Sequence, residues 1–486
     1  MGNNKRSIGR NFLYNTAYQV LSLLIPLITT PYASRVFGAE GVGVQSYAHS
    51  LATVFSQFAA LGVAAYGQRE IARNREDKAQ TSKLFWEIVL LSCVTTAISM
   101  VVWIIVSLVE KTYTPYLLLS GFTVLAVAFD ITWFFAGLEE FKFVALRNAA
   151  VKLAGVALLF LVVRSRDDLL LYVALLSASG LAGNLSMWLQ LRRYLQKVPF
   201  SQLQIFRHLK QTVIYFIPTI AATVYTVVDK AMLRFLTEGT EEIGYYEQTT
   251  KIVRMAQVVL LSINTVMSAR MSYLFSVGKL EELKRKLEKS VSFILLMAVP
   301  FTLGIIGVAR NFVPWFFGEG FEPVVPLLCV YSPLLLVVGI SNCLGTQYLT
   351  PSGQRGRSSK GILLGAGVNV ILNLLVIPVW GAAGAAVASV MAELIIMIVY
   401  AYMSREYLSI RTIWKHSGKR LVAGGVMLLA VLALDRLPFA GVWMTVAQVA
   451  LGAAVYVLML LLLRDNLLME VLRKALAHIE KHKKFY

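Results

Sequence analysis

Charged side chains recur at helical spacing inside stretches of this chain that are otherwise apolar. Glu247, Lys251 and Arg254 are separated by four and three residues, and Lys230 and Arg234 by four. Side chains at these spacings lie on one face of an α-helix. A charge at the centre of a bilayer costs about 2.5–3.5 kcal/mol on insertion scales, so such a face is expected to line a cavity or contact a partner. A surplus of lysine and arginine favours an anionic ligand, such as a phosphate or pyrophosphate group.

Further charged residues occur within other apolar stretches, and over the whole set cations exceed anions. These residues are Asp130, Arg147, Lys152, Asp229 and Glu393. The simplest arrangement is one internal cavity that all of these side chains share. In the alternative arrangement, Glu247 pairs with Lys251 on its own helix and Asp229 pairs with a cation on a neighbour, which would only offset their burial. Glu87 and Arg270 lie near the inner ends of apolar stretches, and they are expected to extend their charged groups to the membrane surface.

Membrane-spanning helices must position these side chains. The 486-residue chain is 57% hydrophobic and 15% charged, whereas charged residues typically make up about a quarter of a soluble protein. An apolar helix of about 20 residues spans the hydrocarbon core of a bilayer. The hydropathy pattern predicts an all-α membrane protein with fourteen spans, at roughly 12–36, 42–66, 84–109, 115–138, 143–163, 168–190, 211–235, 243–270, 289–310, 323–350, 360–378, 381–403, 419–437 and 441–463.

The basic residues alternate between the loops and predict the orientation of the chain. With the N-terminus inside, 34 of the 46 Lys and Arg residues fall in inner segments, 6 in outer segments and 6 within spans. Inner loops of membrane proteins are enriched in Lys and Arg, so both termini are predicted to be cytoplasmic. The net charge of +19 therefore follows the topology and does not indicate nucleic-acid binding.

A weak internal repeat suggests two lobes. FGAEGVGVQSYAHSL (37–51) resembles TEEIGYYEQTTKI (240–252), and the match pairs Gly43 with Gly244. Both segments lie between an outward-going and an inward-going span, which predicts a parallel repeat of six spans per lobe. The predicted lobes are 1–200 and 201–410, with two added spans in 411–465. The basic tail, 466–486, is predicted to be a helix on the inner membrane surface.

Two prolines interrupt the first predicted span. Pro26 and Pro31 lie in IPLITTPYASRVFG (25–38) and are expected to kink the helix. Kinked helices in a membrane are tolerated where they line a cavity and are common at gates, although an ordinary packing kink is an equal alternative.

Three stretches resemble those of a known family. They are DITWFFAGLEEFKFVALRNAAVKL (130–153), PLITTPYASRVFGAEGVG (26–43) and VVDKAML (227–233). Together they are similar to the bacterial polysaccharide flippases, which export O-antigen and capsule repeat units. The first stretch is the most specific of the three. The resemblance extends over nearly the whole chain, and it places the protein with the multidrug and toxin exporters and the lipid II flippases in one superfamily of two-lobed transporters.

The resemblance implies a function. Such a protein carries an undecaprenyl-pyrophosphate-linked oligosaccharide, or a similar teichoic-acid precursor, from the inner to the outer leaflet of the bacterial cytoplasmic membrane by alternating access. The matching positions Arg147, Lys152, Asp229 and Lys230 would line its cavity. Helix geometry adds Lys251 and Arg254, and we expect Arg147, Lys152, Lys251 and Arg254 to bind the pyrophosphate. A coupling proton or sodium ion would be carried by a buried acid, for which the candidates are Asp130, Asp229, Glu247 and Glu393.

Other functions remain open on the sequence alone. A multidrug antiporter would be expected to have a more acidic or apolar cavity, and a lipid II flippase would carry a similar polyprenyl pyrophosphate. A membrane glycosyltransferase or polymerase is disfavoured, since the sequence has no D-x-D motif, no Cys and His cluster with metal spacing, and no large outer loop. No cofactor or metal is expected, and a polysaccharide polymerase or exporter is a candidate partner.

Overall fold

The computed structural model describes residues 2–408, 410–437, 440–470 and 473. These residues form two compact units, Met1–Gly244 and Tyr245–Tyr486. The helices of the first unit are α1 (Gly2–Ala60), α2 (Val63–Asn74), α3 (Lys78–Val109), α4 (Thr114–Leu125), α5 (Thr132–Gly137), α6 (Phe141–Val162), α7 (Leu169–Met187) and α8 (Leu209–Leu236). Short 3₁₀ segments join some of them, at Ala126–Phe129, Arg166–Asp168, Trp188–Arg193, Phe200–Gln202 and Ile205–His208.

The second unit is also helical. Its helices are α9 (Glu241–Ser276), whose first turn contains the unit boundary, α10 (Leu280–Phe317), α11 (Val324–Tyr331), α12 (Leu334–Leu344), α13 (Arg355–Met403), α14 (Ile410–Leu434) and α15 (Val442–Leu462). A π-helical turn, Gly345–Leu349, follows α12.

Two of the helices are broken by a glycine. Gly38 in α1 has φ 65° and ψ −174°, and Gly381 in α13 has φ 52° and ψ −129°. Glycine accepts a positive φ without a steric penalty, so it allows the chain to turn sharply there. At about 1.5 Å per residue, a straight α1 of 59 residues would be roughly 90 Å long, about three times the hydrocarbon core. Each break falls at or beside the junction of two predicted spans.

The predicted fold class is confirmed. Among the described residues, eleven helices are long and apolar enough to cross a membrane, and two of them run through Gly38 and Gly381. The helix α8, the predicted seventh span, is not among the eleven and carries three charged residues in its last eight positions. The chain is therefore an all-α membrane protein, and the count of fourteen crossings stays a prediction.

The predicted lobes and the compact units are different divisions of the chain. The lobes were inferred from a repeat, whereas the units reflect contacts, and α8 packs against α1 in the first unit. The lobe boundaries at 200 and 410 stay predictions. Of the predicted surface helix 466–486, only residues 466–470 and 473 belong to the described part of the chain, and the rest lies outside it.

An aromatic core in the first unit holds α2, α3 and α5 together. Phe85 of α3 stacks on Trp133 with ring centroids 5.8 Å apart, and Phe134 and Phe135 of α5 are fully buried beside it. Gly67 of α2 packs against the Trp133 ring so closely that a Cβ would lie 2.8 Å from the ring carbon Cδ2. This packing fixes the short helix α5 and the segment that leads into α6.

Candidate functional site

A cavity of about 480 Å³ lies within the first unit, among helices α1, α5, α6 and α7. Its volume is within the range of small-molecule sites, roughly 300–1,000 Å³. Arg147 and Lys152, two of the predicted site residues, both line it. The cavity therefore contains two cations that are five residues apart on α6, about 7.5 Å along the helix axis.

Both cations are oriented by hydrogen bonds to neutral oxygen atoms. The Lys152 ammonium donates to the Ser22 hydroxyl of α1 at 2.9 Å. The Arg147 guanidinium donates to the side-chain oxygen of Asn148, which also lines the cavity. Both arginine and lysine are half-buried. These two hydrogen bonds orient the cationic groups in the cavity lining, and such groups can donate charge-assisted hydrogen bonds to an anion.

The prolines of α1 lie beside this cavity. Pro26 follows Ile25, which lines the cavity, and Pro31 lies two residues after Thr29, which also does. Pro26 cannot donate a hydrogen bond to the carbonyl of Ser22, four residues earlier. Lys152 contacts α1 at this same residue, through the hydroxyl. A role of the two prolines as a gate stays a prediction.

Asp130 interrupts the fourth predicted span. Its carboxylate accepts hydrogen bonds from the Thr132 amide at 2.9 Å and the Thr132 hydroxyl at 2.6 Å, and its carbonyl accepts one from the Trp133 indole at 3.0 Å. These bonds satisfy donors at the start of α5, as a helix N-terminus requires. Asp130 thus has a structural role, and its proposed role in ion coupling stays a prediction.

The charged residues of α8 lie in two environments. Asp229 and Lys230 are buried, with 1% and 7% of their surface exposed. Arg234, one turn further along, lies 3.4 Å from the Glu110 carboxylate and 5.0 Å from the centre of the Tyr113 ring. Glu110 follows the end of α3, so this ion pair is at the predicted outer end of the spans.

The predicted residues of the second unit differ in their burial and in their partners. Lys251 pairs with Glu247 at 3.2 Å on the same helix, as the alternative arrangement expected, while Arg254 is exposed. Glu393 of α13 is 5% exposed and accepts a hydrogen bond from the Ser341 hydroxyl at 3.4 Å. That all the predicted side chains share one cavity stays a prediction.

The glycines of the internal repeat lie in reciprocal positions within the first unit. A Cβ on Gly43 would overlap the carbonyl group of Thr240, and a Cβ on Gly244 would overlap that of Ala39. Thr240 also donates its hydroxyl to the Glu40 carbonyl at 3.1 Å. The same offset of 201 residues relates Ala39 to Thr240 and Gly43 to Gly244, so the two contacts are a symmetric pair.

One prediction was wrong. Glu87 does not extend to the membrane surface: its side chain is fully buried. Its carboxylate accepts hydrogen bonds from the Gln204 amide at 2.8 Å, from His208 at 2.9 Å and from Arg207. The prediction failed because α3 begins at Lys78, six residues before the predicted span, so Glu87 lies in the third turn and not at the helix end. The Asp77 side chain, which caps α3 by accepting from the Gln80 amide, was the available signal in the sequence.

This cluster, which we call the Glu87 cluster, comprises Tyr66, Glu87, Arg207 and His208. The Tyr66 hydroxyl lies 2.7 Å from Nδ1 of His208. A carboxylate only accepts hydrogen bonds, so a neutral His208 donates from Nε2 to Glu87 and accepts from Tyr66. Burial lowers the pKa of His208 below its usual range, and this effect outweighs the bond to Glu87, which raises the pKa. Arg270, in contrast, is 49% exposed and bonds to Glu282 at the surface, as expected.

A second buried ion pair was also not foreseen. Arg420 of α14 is 1% exposed and contacts Asp465 at 3.1 Å, and it also donates to the carbonyl and hydroxyl oxygens of Ser292 on α10. Asp465 accepts from the backbone amides of Leu467 and Leu468. Burial alone would raise the pKa of Asp465, but the hydrogen bonds from Arg420 and these amides outweigh it and hold the pKa below the usual range. The pair fixes the residues that follow α15.

In the described part of the chain, no three His, Cys, Asp or Glu side chains are grouped closely enough to hold a metal ion. The fold is that of an all-α membrane protein with charged residues inside apolar helices. It is similar to the lipid II flippase MurJ in an inward closed conformation, with a TM-score of 0.73 over 93% of this chain and 99% of that one, at 16% identity. It is also similar to an inward-facing multidrug resistance MATE family transporter of the MOP superfamily, with a TM-score of 0.54 over 85% and 98% of the two chains, at 14% identity.

The sequence comparisons identify the family. Residues 8–275, more than half of the chain, match the model of the polysaccharide biosynthesis protein family, and the chain belongs to this family. It is 25% identical over 382 residues to a putative O-antigen transporter of Escherichia coli K12, which covers 78% of this chain and 91% of the relative. It is 22% identical over 224 residues to Agl15 of Haloferax volcanii, a probable low-salt glycan biosynthesis flippase, over 46% of each chain. Because these relatives are transporters and flippases, the expectation that the chain is a transporter and not an enzyme is confirmed.

Proposed function

We propose that the chain moves a polyprenyl-pyrophosphate-linked oligosaccharide from the inner to the outer leaflet of the bacterial cytoplasmic membrane by alternating access, with both termini in the cytoplasm. The observation that carries the proposal is the cavity in the first unit, which Arg147 and Lys152 line together. The O-antigen transporter of E. coli and the flippase of H. volcanii support the same substrate class.

The physical requirement is the transfer of a pyrophosphate through hydrocarbon. An isolated buried charge costs far more than thermal energy, so the group needs cationic and hydrogen-bonding partners along its path. Arg147 offers a planar fork that can bind two phosphate oxygens at once, and Lys152 offers a compact point charge. In this proposal the two side chains hold the pyrophosphate, and Lys230, Arg234, Lys251 and Arg254 are further cationic positions on its route.

Movement against a gradient requires coupling to an ion. The buried acids Asp229 and Glu393 are suited to this, because a carboxylate that is taken out of water changes its proton or cation affinity with its surroundings. Asp130 and Glu247 are further candidates. The close contacts at Gly43 and Gly244 belong to the present conformation, and in this proposal they separate when the carrier changes state.

The delivered glycolipid would carry a repeat unit of a surface polysaccharide or of teichoic acid. A polysaccharide polymerase or exporter at the outer face would then take up this glycolipid, so we include such a protein as a partner of the carrier. Lipid II is a second candidate substrate, favoured by the fold similarity to a lipid II flippase.

The proposal is tested by transport in proteoliposomes. A fluorescent undecaprenyl-pyrophosphate oligosaccharide is placed in one leaflet and its appearance in the other is followed with no gradient, with a proton gradient and with a sodium gradient. Lipid II and a cationic drug serve as parallel substrates. We expect the oligosaccharide to move, faster with one of the gradients, and movement of the drug alone would contradict the proposal.

Matched variants test the cations. A hydrogen bond to a charged group contributes about 1.5–3 kcal/mol, so Arg147→Gln and Lys152→Gln should each slow transport roughly 10- to 150-fold at equal protein amounts. Arg270→Gln is the control, because Arg270 lies at the surface beside Glu282 and does not line the cavity. Undiminished transport by both cavity variants would exclude this cavity as the pyrophosphate site.

A further inference from the structure

The cavity in the first unit is polar at one end and apolar at the other. On α6 the polar residues Arg147, Asn148 and Lys152 come first, and Val156 and Leu159 follow. The next helix, α7, runs back along α6 after a short connection and contacts it. Along α7 the order of apolar and polar lining residues is the reverse of that along α6, since Leu175 and Leu176 come first and Asn184 follows. The two helices therefore place their polar residues at the same end and their apolar residues at the other, roughly 18 Å apart between Arg147 and Leu159.

The apolar end is poorly suited to sugars. A buried hydroxyl needs a hydrogen-bond partner, and transfer without one costs free energy. The wall at this end is formed by the aliphatic side chains Val156, Leu159, Leu175 and Leu176 and by Tyr172. Thr29 and Ser179 also line the cavity, but their hydroxyls already donate to the carbonyls of Ile25 and Leu175. At about 480 Å³ the cavity can also hold only part of a lipid-linked oligosaccharide.

We propose that this cavity binds the region of the substrate where the pyrophosphate meets the lipid, and not the glycan. The pyrophosphate lies at Arg147 and Lys152, and the first isoprene units of the polyprenyl chain lie against the aliphatic wall. This inference rests on the proposed function for the chemical class of the substrate. It specifies that the first unit recognises the part common to all polyprenyl-pyrophosphate glycolipids, whatever sugars they carry.

The orientation of the cavity agrees with a lipid of the inner leaflet. In the predicted topology Arg147 lies near the inner end of α6 and Leu159 lies nearer the outer end, so the polar end is at headgroup level and the apolar end is directed into the hydrocarbon. The wall also continues to the lipid-facing surface. Leu176 both lines the cavity and is 41% exposed, and Leu170 and Leu171 on the same helix are 41% and 42% exposed. The remainder of a long polyprenyl chain can therefore leave along α7 into the bilayer.

Gly180 offers a way to fill the apolar part without disturbing the packing. It lies on α7 in the cavity lining, and no atom is within 4 Å of the position that a Cβ would take. Gly180→Leu should therefore occupy space that the isoprene units need. Gly425 on α14 also has no atom within 4 Å of its Cβ position and does not line this cavity, so Gly425→Leu is the matched control.

The test measures binding of geranylgeranyl pyrophosphate and of inorganic pyrophosphate to the full-length protein in lipid nanodiscs, with geranylgeraniol as a competitor that lacks phosphate. Burial of two methylene groups alone is worth about tenfold in affinity, so the prenyl compound should bind at least about tenfold more tightly than pyrophosphate. Gly180→Leu should remove this preference, and Leu176→Ser should reduce it. Gly425→Leu should keep the preference for the prenyl compound, and Lys152→Gln should weaken the binding of both ligands.

Equal affinities of the two ligands in the unmodified protein would overturn the inference. Retention of the full preference by both Gly180→Leu and Leu176→Ser would also overturn it. The proposed function is judged separately, by transport of the glycolipid in proteoliposomes. A carrier that moves the glycolipid but shows no preference for the prenyl compound keeps the proposed function and loses this inference, whereas a carrier that moves no glycolipid loses the proposed function itself.

Discussion

Alanine at Gly43 or Gly244 is expected to destabilise the present conformation relative to others. A Cβ on Gly43 would lie 2.7 Å from the carbonyl carbon of Thr240, and one on Gly244 would lie 2.8 Å from that of Ala39. Ordinary contact begins at 3.4 Å, and the carbonyl oxygen of Thr240 lies closer still than its carbon. The backbones must therefore separate by more than 0.7 Å at Gly43, the value that the carbon alone requires (3.4 Å less 2.7 Å). Insertion of a methyl group into a tightly packed contact costs about 1–3 kcal/mol. If the cost falls on this conformation alone, its population drops roughly 5- to 150-fold relative to states in which the contact is open.

The side chain of Thr240 provides a reporter of this change. It is fully buried here, so a cysteine in its place should be protected from a membrane-impermeant maleimide. In a background where Cys93, Cys329 and Cys343 are replaced, we expect Thr240→Cys to react several-fold faster when Gly43→Ala or Gly244→Ala is added. Gly425→Ala, where the added Cβ meets no atom within 4 Å, should not change the rate. Equal labelling rates in all four proteins would show that the close approach relaxes locally and does not select a conformation.

Three further predictions concern the buried ion pairs. Glu87→Ala should destabilise the protein by about 1–3 kcal/mol, seen as a lower thermal transition, because it leaves the buried His208 ring and the Gln204 backbone amide without their acceptor; an unchanged transition would contradict this. Since the pKa of His208 is lowered in the fold, the folded state binds fewer protons than the unfolded state, so stability should be full above the unfolded pKa of about 6.5 and fall as the pH drops through the folded pKa. His208→Gln should flatten this dependence, and a dependence of the same size in that variant would assign it to another group. Arg420→Met should leave Asp465 buried without its cation and release the segment after α15, which faster proteolysis there would report.

Arg147 and Lys152 were expected from the sequence to line a cavity, and both line the cavity of the first unit. Their role in binding a substrate stays a prediction. The pairing of Glu247 with Lys251 was likewise foreseen as an alternative, since it depends only on helical spacing. The Glu87 cluster was not foreseen. The partners of the Glu87 carboxylate lie 117 to 121 residues further along the chain, in the connection before α8, and neither hydropathy nor periodicity reports contacts across that separation.

The same limitation applied to the prediction for Asp130. Its charge within an apolar stretch indicated a functional residue. The helix is broken there, however, and the carboxylate accepts hydrogen bonds from Thr132 at the start of α5. Hydropathy could not distinguish this structural role from a ligand site. The repeat, in contrast, carried more information than its weak sequence match suggested. Gly43 and Gly244 were paired by alignment alone, and each packs against the backbone that the offset of 201 assigns to the other.

The pair of Arg420 and Asp465 also imposes an order of events during synthesis. Arg420 is made with α14, whereas Asp465 follows the end of α15, so the ribosome must add 45 further residues before the guanidinium can reach its carboxylate. Ser292 of α10 has already been synthesised at that time, and its carbonyl and hydroxyl oxygens can accept hydrogen bonds from the Arg420 guanidinium. The polar contacts of Arg420 are therefore completed only by the residues just after α15. A ribosome that stalls ahead of residue 465, or a deletion that removes it, therefore leaves a buried arginine without its counter-ion, which is a costly state in the folded unit.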